Sequence, residues 1–299
     1  MHSVFTVGFK GVRPALRASL ILFLTTASIV GHAYIPRSQT IFARTARNGG
    51  KGAYVIEQEV HFRSLAEPVT VREHWVIENG ENMRLTAYSP KGAKENARMD
   101  VLYHDGKKTS ADGGGTLQIT PLSPEFIENF EHYRSGRSLM EALIHAHIVP
   151  LAIQRERSRP TAANIANYRP QGEPYVRLGR DHGTVSWIFG EPTAIDAPKL
   201  NPEAWIQQDG FVLEKIRFPS QSEVSADRFA TSPGNLKLPR ERTVTWNGNI
   251  VSIRVLSVKA LPANAIGKAV SPGSITTADA RAYHLPEIPA VKEFYARFR

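Results

Sequence analysis

The 299-residue chain contains no cysteine and no long hydrophobic run, and both absences restrict its class. Without cysteine it has no disulfide framework, no cysteine nucleophile and no lipid anchor on a cysteine. The longest apolar run, residues 18–30, is shorter than the roughly 20 residues that a membrane-spanning helix needs. A collagen period and a sustained heptad repeat are also missing. What remains is a globular chain, with 41% hydrophobic and 22% charged residues.

The first 33 residues have the organisation of a secretory leader. Basic residues without any acid come first, the apolar run 18–30 follows, and a small-x-small site ends at Ala33. We predict a signal peptide over 1–33 with cleavage after Ala33, and a soluble, periplasmic product. An uncleaved anchor is the alternative. Cleavage lowers the formal charge from +9 to +6 by removing three basic residues. That charge favours an anionic membrane surface as a partner, or is simply a solvated basic surface.

A hairpin near the N-terminus specifies its own register. Residues 53–63 and 69–78 alternate apolar and polar positions, as half-buried strands do. Pairing residues whose numbers sum to 131 collects the apolar side chains on one face, whereas a slip of one residue would mix the two faces. This register also places two polar residues, Gln58 and Glu73, opposite each other on the apolar face.

The carboxylate of Glu73 needs an explanation, because burying an unpaired charge is costly. In one interpretation Glu73 lies at a wet rim, or bonds Gln58 or an arginine. In the other, it is a polar handle inside a ligand cavity.

The rest of the chain predicts more strands with helices inserted between them. Helices are expected over about 123–133 and from about 138 onward, in an insert over about 123–160. Asp209-Gly210 and Asn247-Gly248 predict two-residue type I′ turns. The further strands are 83–88, 99–104, 175–180, 184–189, 203–208, 211–218, 223–229, 240–246 and 249–258.

These elements predict an α+β fold with a large curved antiparallel sheet. The sheet is an incomplete β-barrel of about eleven strands, with helices covering its concave face. The domain is expected over 53–260, after an N-terminal segment at 34–52. Residues 261–299 are expected to be a tail with a short helix near 290–298.

Motifs of catalysis are missing from the sequence. It has no G-x-S-x-G, no S-x-x-K and no EF-hand loop, and Asp112-Gly-Gly-Gly115 lacks the lysine and helix of a phosphate loop. His145 and His147 are two residues apart and so would not share a helix face for a metal. No aromatic-basic motif accompanies the positive charge, so nucleic acid is not an expected partner.

Aromatic residues on the predicted strands are the remaining feature. They either fill an ordinary core or line a cavity inside a large curved sheet. The residues predicted to line such a cavity are Phe62, Trp75, Trp187, Phe189 and Trp205, with Gln58 and Glu73 as its polar members.

The C-terminal half contains three motifs that belong together: Trp205-Ile206-Gln207-Gln208-Asp209-Gly210, Leu238-Pro239-Arg240 and Val244-Thr245-Trp246. With these motifs it resembles the outer-membrane lipoprotein carrier and receptor (LolA/LolB-like) superfamily. The resemblance spans roughly residues 50–260 and implies an incomplete β-barrel closed by helices, with an apolar cavity for acyl chains or other lipids. It also implies that there are no catalytic residues and no cofactor.

The leading prediction is therefore a non-enzymatic periplasmic carrier or binding protein. Its partners would be lipid or lipoprotein acyl chains, together with an anionic membrane surface or an envelope protein. A cell-envelope interaction module with a solid core, and an exported hydrolase with an unrecognised site, are the alternatives.

Overall fold

The computed structural model describes residues 35–93, 97–111, 114–154, 175–181, 183–262, 265–267 and 269–299. The predicted signal peptide and its cleavage site after Ala33 lie outside these residues. The chain divides into the units Met1–Ile35 and Pro36–Arg299, and the fold described here is that of the second unit.

Thirteen strands form one antiparallel sheet in the order β6-β5-β4-β3-β2-β1-β13-β12-β11-β10-β9-β8-β7. In the described chain β6 and β7 are the two edges, so the sheet is open rather than a closed barrel. The strands are β1 (Ala53–Phe62), β2 (Val69–Ile77), β3 (Met83–Tyr88), β4 (Arg98–His104), β5 (Lys107–Ala111), β6 (Leu117–Pro121), β7 (Val176–Asp181), β8 (Thr184–Phe189), β9 (Glu203–Gln207), β10 (Leu213–Arg217), β11 (Glu223–Ser232), β12 (Leu236–Trp246) and β13 (Asn249–Leu261).

The prediction of about eleven strands is too low, because β5 and β6 were not expected. Both strands lie at one edge of the sheet and carry few buried side chains, so hydrophobic alternation does not reveal them. A turn signal was nevertheless present. Asp105 and Gly106 have φ values of 47° and 72°, and His104 pairs directly with Lys107. The Asp-Gly pair therefore closes a two-residue hairpin.

The predicted hairpin register is confirmed along its whole length, including the pair Gln58–Glu73. The Asn247-Gly248 turn is confirmed too, since both residues have positive φ and Trp246 pairs with Asn249.

The two-residue turn predicted at Asp209-Gly210 is wrong. Strand β9 ends at Gln207 and β10 begins at Leu213, so five residues connect them. The positive φ falls on Phe211, at 48°. Asn48 explains the wider loop, because its side-chain amide donates to the carbonyl oxygens of Gly210 and Phe211 at 2.9 and 2.8 Å.

Four α-helices and several 3₁₀ turns accompany the sheet in the described residues. The helix predicted over 123–133 is only a 3₁₀ turn, Ile127–Phe130, whereas the following helix is present and is capped by a reciprocal Ser135–Ser138 bond. None of the helices of the described chain is both long enough and apolar enough to cross a membrane. The helices are α1 (Ser38–Thr45), α2 (Gly136–His145), α3 (Thr277–Arg281) and α4 (Pro289–Arg297).

The apolar sheet face, here called the inner face, contacts segments from both ends of the domain. Phe42 of α1 stacks on Phe189 with ring centroids 4.6 Å apart. Phe294 of α4 meets Phe62 edge to face at 5.4 Å. Neither contact was expected. Residues 34–52 were not predicted to be helical, and the short helix that was predicted near 290–298, and is present as α4, was assigned to a tail rather than to the core. The four phenylalanine side chains are fully buried, so both helices belong to the core of the domain.

Candidate functional site

Six of the seven predicted cavity residues share the inner face. Gln58 and Phe62 on β1, and Glu73 and Trp75 on β2, are neighbours through the hairpin register. Trp187 and Phe189 reach the same face at the far side of the sheet. The row of paired residues that links the two sides is Phe62, Val251, Val244, Val224, Ile216, Ala204 and Phe189.

Trp205 is not brought together with the other six. It pairs with Ile188, whereas Trp187 pairs with Ile206, so the two tryptophans point to opposite faces. The Lys215 ammonium lies 5.8 Å from the Trp205 ring centroid on that outer face.

Packed aromatic rings surround Trp75, which is 1% exposed. Tyr103 stacks on it at 5.6 Å between centroids, and Phe126 is 6.4 Å away. Four grooves of about 470, 520, 530 and 640 Å³ open at the surface of the described chain, but none of the seven predicted residues lines any of them. The inner face around Trp75 is therefore closely packed in this structure.

Glu73 is buried but not unpaired. Its Oε2 accepts from Gln58 Nε2 at 2.6 Å and from Trp75 Nε1 at 3.0 Å. Arg299 Nε donates to both carboxylate oxygens, at 3.1 and 3.2 Å, and both side chains of this ion pair are 0% exposed. Of the alternatives drawn from the sequence, the bond to Gln58 and the bond to an arginine are both present.

A second carboxylate, Glu128, faces the same arginine. Its Oε1 lies 3.0 Å from Arg242 Nη1 and 3.2 Å from Arg299 Nη1, and its Oε2 lies 2.9 Å from His132 Nε2. Arg242 also donates from Nη2 to Gln58 Oε1 at 2.6 Å, which joins the two carboxylates into one network. We call these residues the inner polar cluster: Gln58, Glu73, Glu128, His132, Arg242 and Arg299.

Charges in the inner polar cluster balance. Burial acts to raise the pKa of Glu128, but Arg242, the His132 hydrogen bond and Arg299 together hold it well below its usual range. Burial lowers the pKa of His132, so its neutral form is favoured. Two carboxylates then face two guanidinium groups, as buried charges require.

Five polar atoms of this region have no hydrogen-bond partner among the described residues. All five are buried, and they lie on side chains that belong to or surround the inner polar cluster. They are Tyr103 Oη, His132 Nδ1, Arg242 Nε, Tyr295 Oη and Arg299 Nη2. Buried polar atoms are normally paired, so this concentration is unusual and marks a region with unused bonding capacity.

Helix α4 brings Arg299 into the cluster. Lys108 Nζ donates to the carbonyl oxygen of Tyr295 at 2.7 Å and to Arg299 O at 2.6 Å. Burial and the neighbouring Arg299 lower the pKa of Lys108 to about 8. The Arg299 guanidinium lies 4.9 Å from the Phe294 ring centroid and 5.7 Å from that of Trp75. The end of α4 is thus held by both polar and aromatic contacts.

Sequence reasoning missed most of this cluster. Arg242 could have been found, because it has the parity of Val244 and Trp246 on an apolar strand face. Glu128 and His132 are four residues apart within the predicted helix 123–133, a spacing that would have placed them on one face, but this pair was not singled out. Nothing in the local pattern indicates that Arg299 is buried.

Comparison with known proteins gives similarities among solved structures. No family profile matches the chain, and no curated protein matches it. It is similar to a LolA superfamily protein from Nitrosomonas europaea, with 13% identity and a TM-score of 0.47 over 81% of this chain and 100% of that chain.

Two further solved structures are similar. One is a domain described as an outer membrane lipoprotein-sorting protein from Vibrio parahaemolyticus, with 12% identity and a TM-score of 0.45 over 78% of this chain and 97% of that chain. The other is a DUF1329 family protein from Desulfovibrio piger, with 8% identity and a TM-score of 0.49 over 80% and 98%.

Proposed function

We propose that this chain is a non-enzymatic binding or carrier protein for an amphipathic ligand, such as a lipid or the acyl chain of a lipoprotein. The observation that carries the proposal is the way the inner face is filled near β1 and β12. A single short helix, α4, packs Phe294 on Phe62 and Trp246, and Arg299, just after the helix, is bound by Glu73. Helix α4 with Arg299 thus combines an apolar segment and a charged end, as an amphipathic lipid does.

Helix α4 and an acyl chain gain similar free energies from burial against the inner face, so one can replace the other. Val291, Phe294, Tyr295 and Phe298 are all buried in α4 and just after it. Burial of each such side chain contributes about 1.5–3 kcal/mol, or about 6–12 kcal/mol for the four. An acyl chain of about 16 methylene groups at about 0.8 kcal/mol each contributes about 13 kcal/mol. A lipid could therefore replace α4 without catalysis or an energy source.

We place this function outside the cytoplasm, in the periplasm, on the strength of the leader at 1–33. N-terminal sequencing of the exported protein is expected to begin at Tyr34, directly after the small-x-small site. Exported protein that still begins at Met1 would contradict a cleaved signal peptide.

Lipid binding is tested on the purified full chain. Native mass spectrometry with lipid extraction identifies any co-purifying ligand, and titration with a fluorescent fatty acid measures binding. Trp75→Ala is expected to weaken probe binding because Trp75 lies on the inner face beside the polar cluster. Trp205→Ala is the matched control, because Trp205 is on the outer face, and it should bind as wild type does.

The interaction module with a solid core is the second candidate. It is favoured by the close packing around Trp75 and by the ion pairs of the inner polar cluster, which leave the inner face filled. If the wild type shows no saturable probe binding and Trp75→Ala costs more than about 4 kcal/mol of unfolding free energy, this candidate replaces the carrier.

A further inference from the structure

Residues 289–299 contact the inner face with two chemically different parts. The apolar part consists of the rings of Phe294 and Phe298. Their centroids lie 6.0 and 5.2 Å, respectively, from that of the Trp246 ring. The polar part is the Arg299 guanidinium, bound between Glu73 and Glu128. If an amphipathic ligand replaces α4, as the proposed function requires, it meets both of these surfaces.

Without Arg299, the inner polar cluster keeps an excess of negative charge. Glu73 would retain only the neutral donors Gln58 and Trp75. Glu128 would retain Arg242 and the hydrogen bond of His132. Two carboxylates would face one guanidinium, and an uncompensated buried carboxylate is strongly unfavourable. A positive charge in the place of Arg299 restores the balance at Glu73 and Glu128.

Aromatic and unpaired polar groups add to the preference for a cation. The Trp75 ring, which belongs to the sheet and would stay in place, lies 5.7 Å from the guanidinium carbon. An aromatic face at this distance attracts a guanidinium or an ammonium group. Tyr103 Oη is fully buried near the carboxylates without a partner in the described chain, and its oxygen can accept a hydrogen bond from an ammonium or guanidinium group.

We propose that residues 289–299 are an internal occupant of the ligand site, and that the ligand which replaces them carries a cationic head that binds between Glu73 and Glu128. Its apolar chain takes the place of Phe294 and Phe298 against Phe62 and Trp246. This inference rests on the proposed function and narrows its ligand class to amphipaths with an ammonium or guanidinium group.

The test compares amphipathic probes of equal chain length on the full wild-type chain. Isothermal titration is done below the micelle concentration with dodecylammonium, dodecylguanidinium and dodecanoate. Both cations are expected to bind at least about tenfold more tightly than the anion, because only they replace the lost ion pair. This comparison needs no variant, so it stands even if a substitution in the cluster prevents folding.

Variants then assign the preference to the cluster. Glu73→Gln keeps the shape and removes the charge, and should reduce the preference for cations to less than about threefold. Glu59→Gln on the outer face of the same hairpin, where the carboxylate pairs with Arg72 and Arg254, is the matched control and should keep it. Arg299→Ala should bind dodecylammonium more tightly than wild type does.

Each outcome is decisive. Equal binding of cationic and anionic probes to wild type would overturn the cationic head while leaving the lipid-binding function intact. If Glu73→Gln keeps the wild-type preference for cationic probes, the cationic head is also overturned, because the cations would then bind at another site. If none of the three probes binds saturably, the proposed function itself fails, and this inference fails with it.

Discussion

The side-chain amide of Gln58 donates to Glu73 across the first hairpin at 2.6 Å, in the register that the apolar alternation of the two strands requires. The same amide accepts from Arg242 through its oxygen, so a neutral residue joins a carboxylate to a guanidinium. The polar pair on an otherwise apolar sheet face is thereby the starting point of a network that ends at Arg299. Four predictions test how this network and the segments around it behave.

The buried ion pair should be expensive to break. Arg299→Ala leaves Glu73 and Glu128 without their shared partner in a region that excludes water, so a loss of about 3–5 kcal/mol in unfolding free energy is expected in urea. The control is Arg72→Ala, which removes a pair with Glu59 at 3.0 Å from an arginine that is 44% exposed. That change should cost less than about 1 kcal/mol. Similar losses for the two variants would show that the inner polar cluster is solvated.

His132 should lower the stability as the pH decreases below about 6.5, whereas Glu131, whose pKa is raised to about 8 by burial, should act in the opposite direction. Burial lowers the pKa of His132 in the folded state, so below pH about 6.5 the unfolded chain binds more protons than the folded chain. The loss from this group approaches about 1.4 kcal/mol per pH unit. Urea unfolding from about pH 5 to about pH 8 measures how the unfolding free energy changes with pH. His132→Gln should raise the stability at low pH relative to that at neutral pH when compared with wild type, whereas His145→Gln, at an exposed position of α2, should leave this difference unchanged.

Helix α4 should open more easily than the sheet beneath it. Phe294→Ala removes the ring that packs on Phe62 and Trp246, so amide hydrogens of 291–298 should exchange at least about tenfold faster. Amides of β1 and β2 should keep their wild-type rates. Lys292→Ala, on the solvent side of the same helix, is the control and should change no rate by more than about threefold. Equal acceleration in α4 and in β1 would mean that they open as one unit, against separate release of α4.

The two Xaa-Gly turns should respond differently to alanine. Gly248 has a φ of 79°, so Gly248→Ala places a side chain in the left-handed region and should cost about 1–2 kcal/mol. Gly210 is not in that region, and a Cβ there would meet the end of the flexible Gln207 side chain, which can move. Gly210→Ala should therefore cost less than about 0.5 kcal/mol. Thermal or urea unfolding of both variants checks this; equal costs would contradict the loop geometry at Phe211.

Patterns of short range were enough to predict much of the fold. Alternation over 53–63 and 69–78 specified the β1–β2 register because a slip would expose one apolar face entirely. Asn247-Gly248 specified its turn because both residues tolerate positive φ. These features depend only on neighbours in sequence or in one hairpin. The same reasoning identified Gln58 and Glu73 as partners, since cross-strand neighbours follow from the register.

Contacts between distant segments decided the rest. Asn48 bonds to the five-residue loop that replaces the tight turn predicted at Asp209-Gly210. Asn48 and Gly210 are 162 residues apart in sequence. Arg299 meets Glu73 across 226 residues, and no local period encodes that distance. A carboxylate on an apolar strand indicates that a partner exists, because an unpaired buried charge is too costly. Which residue becomes the partner depends on how helix α4 packs on the completed sheet, and only the tertiary structure decides that.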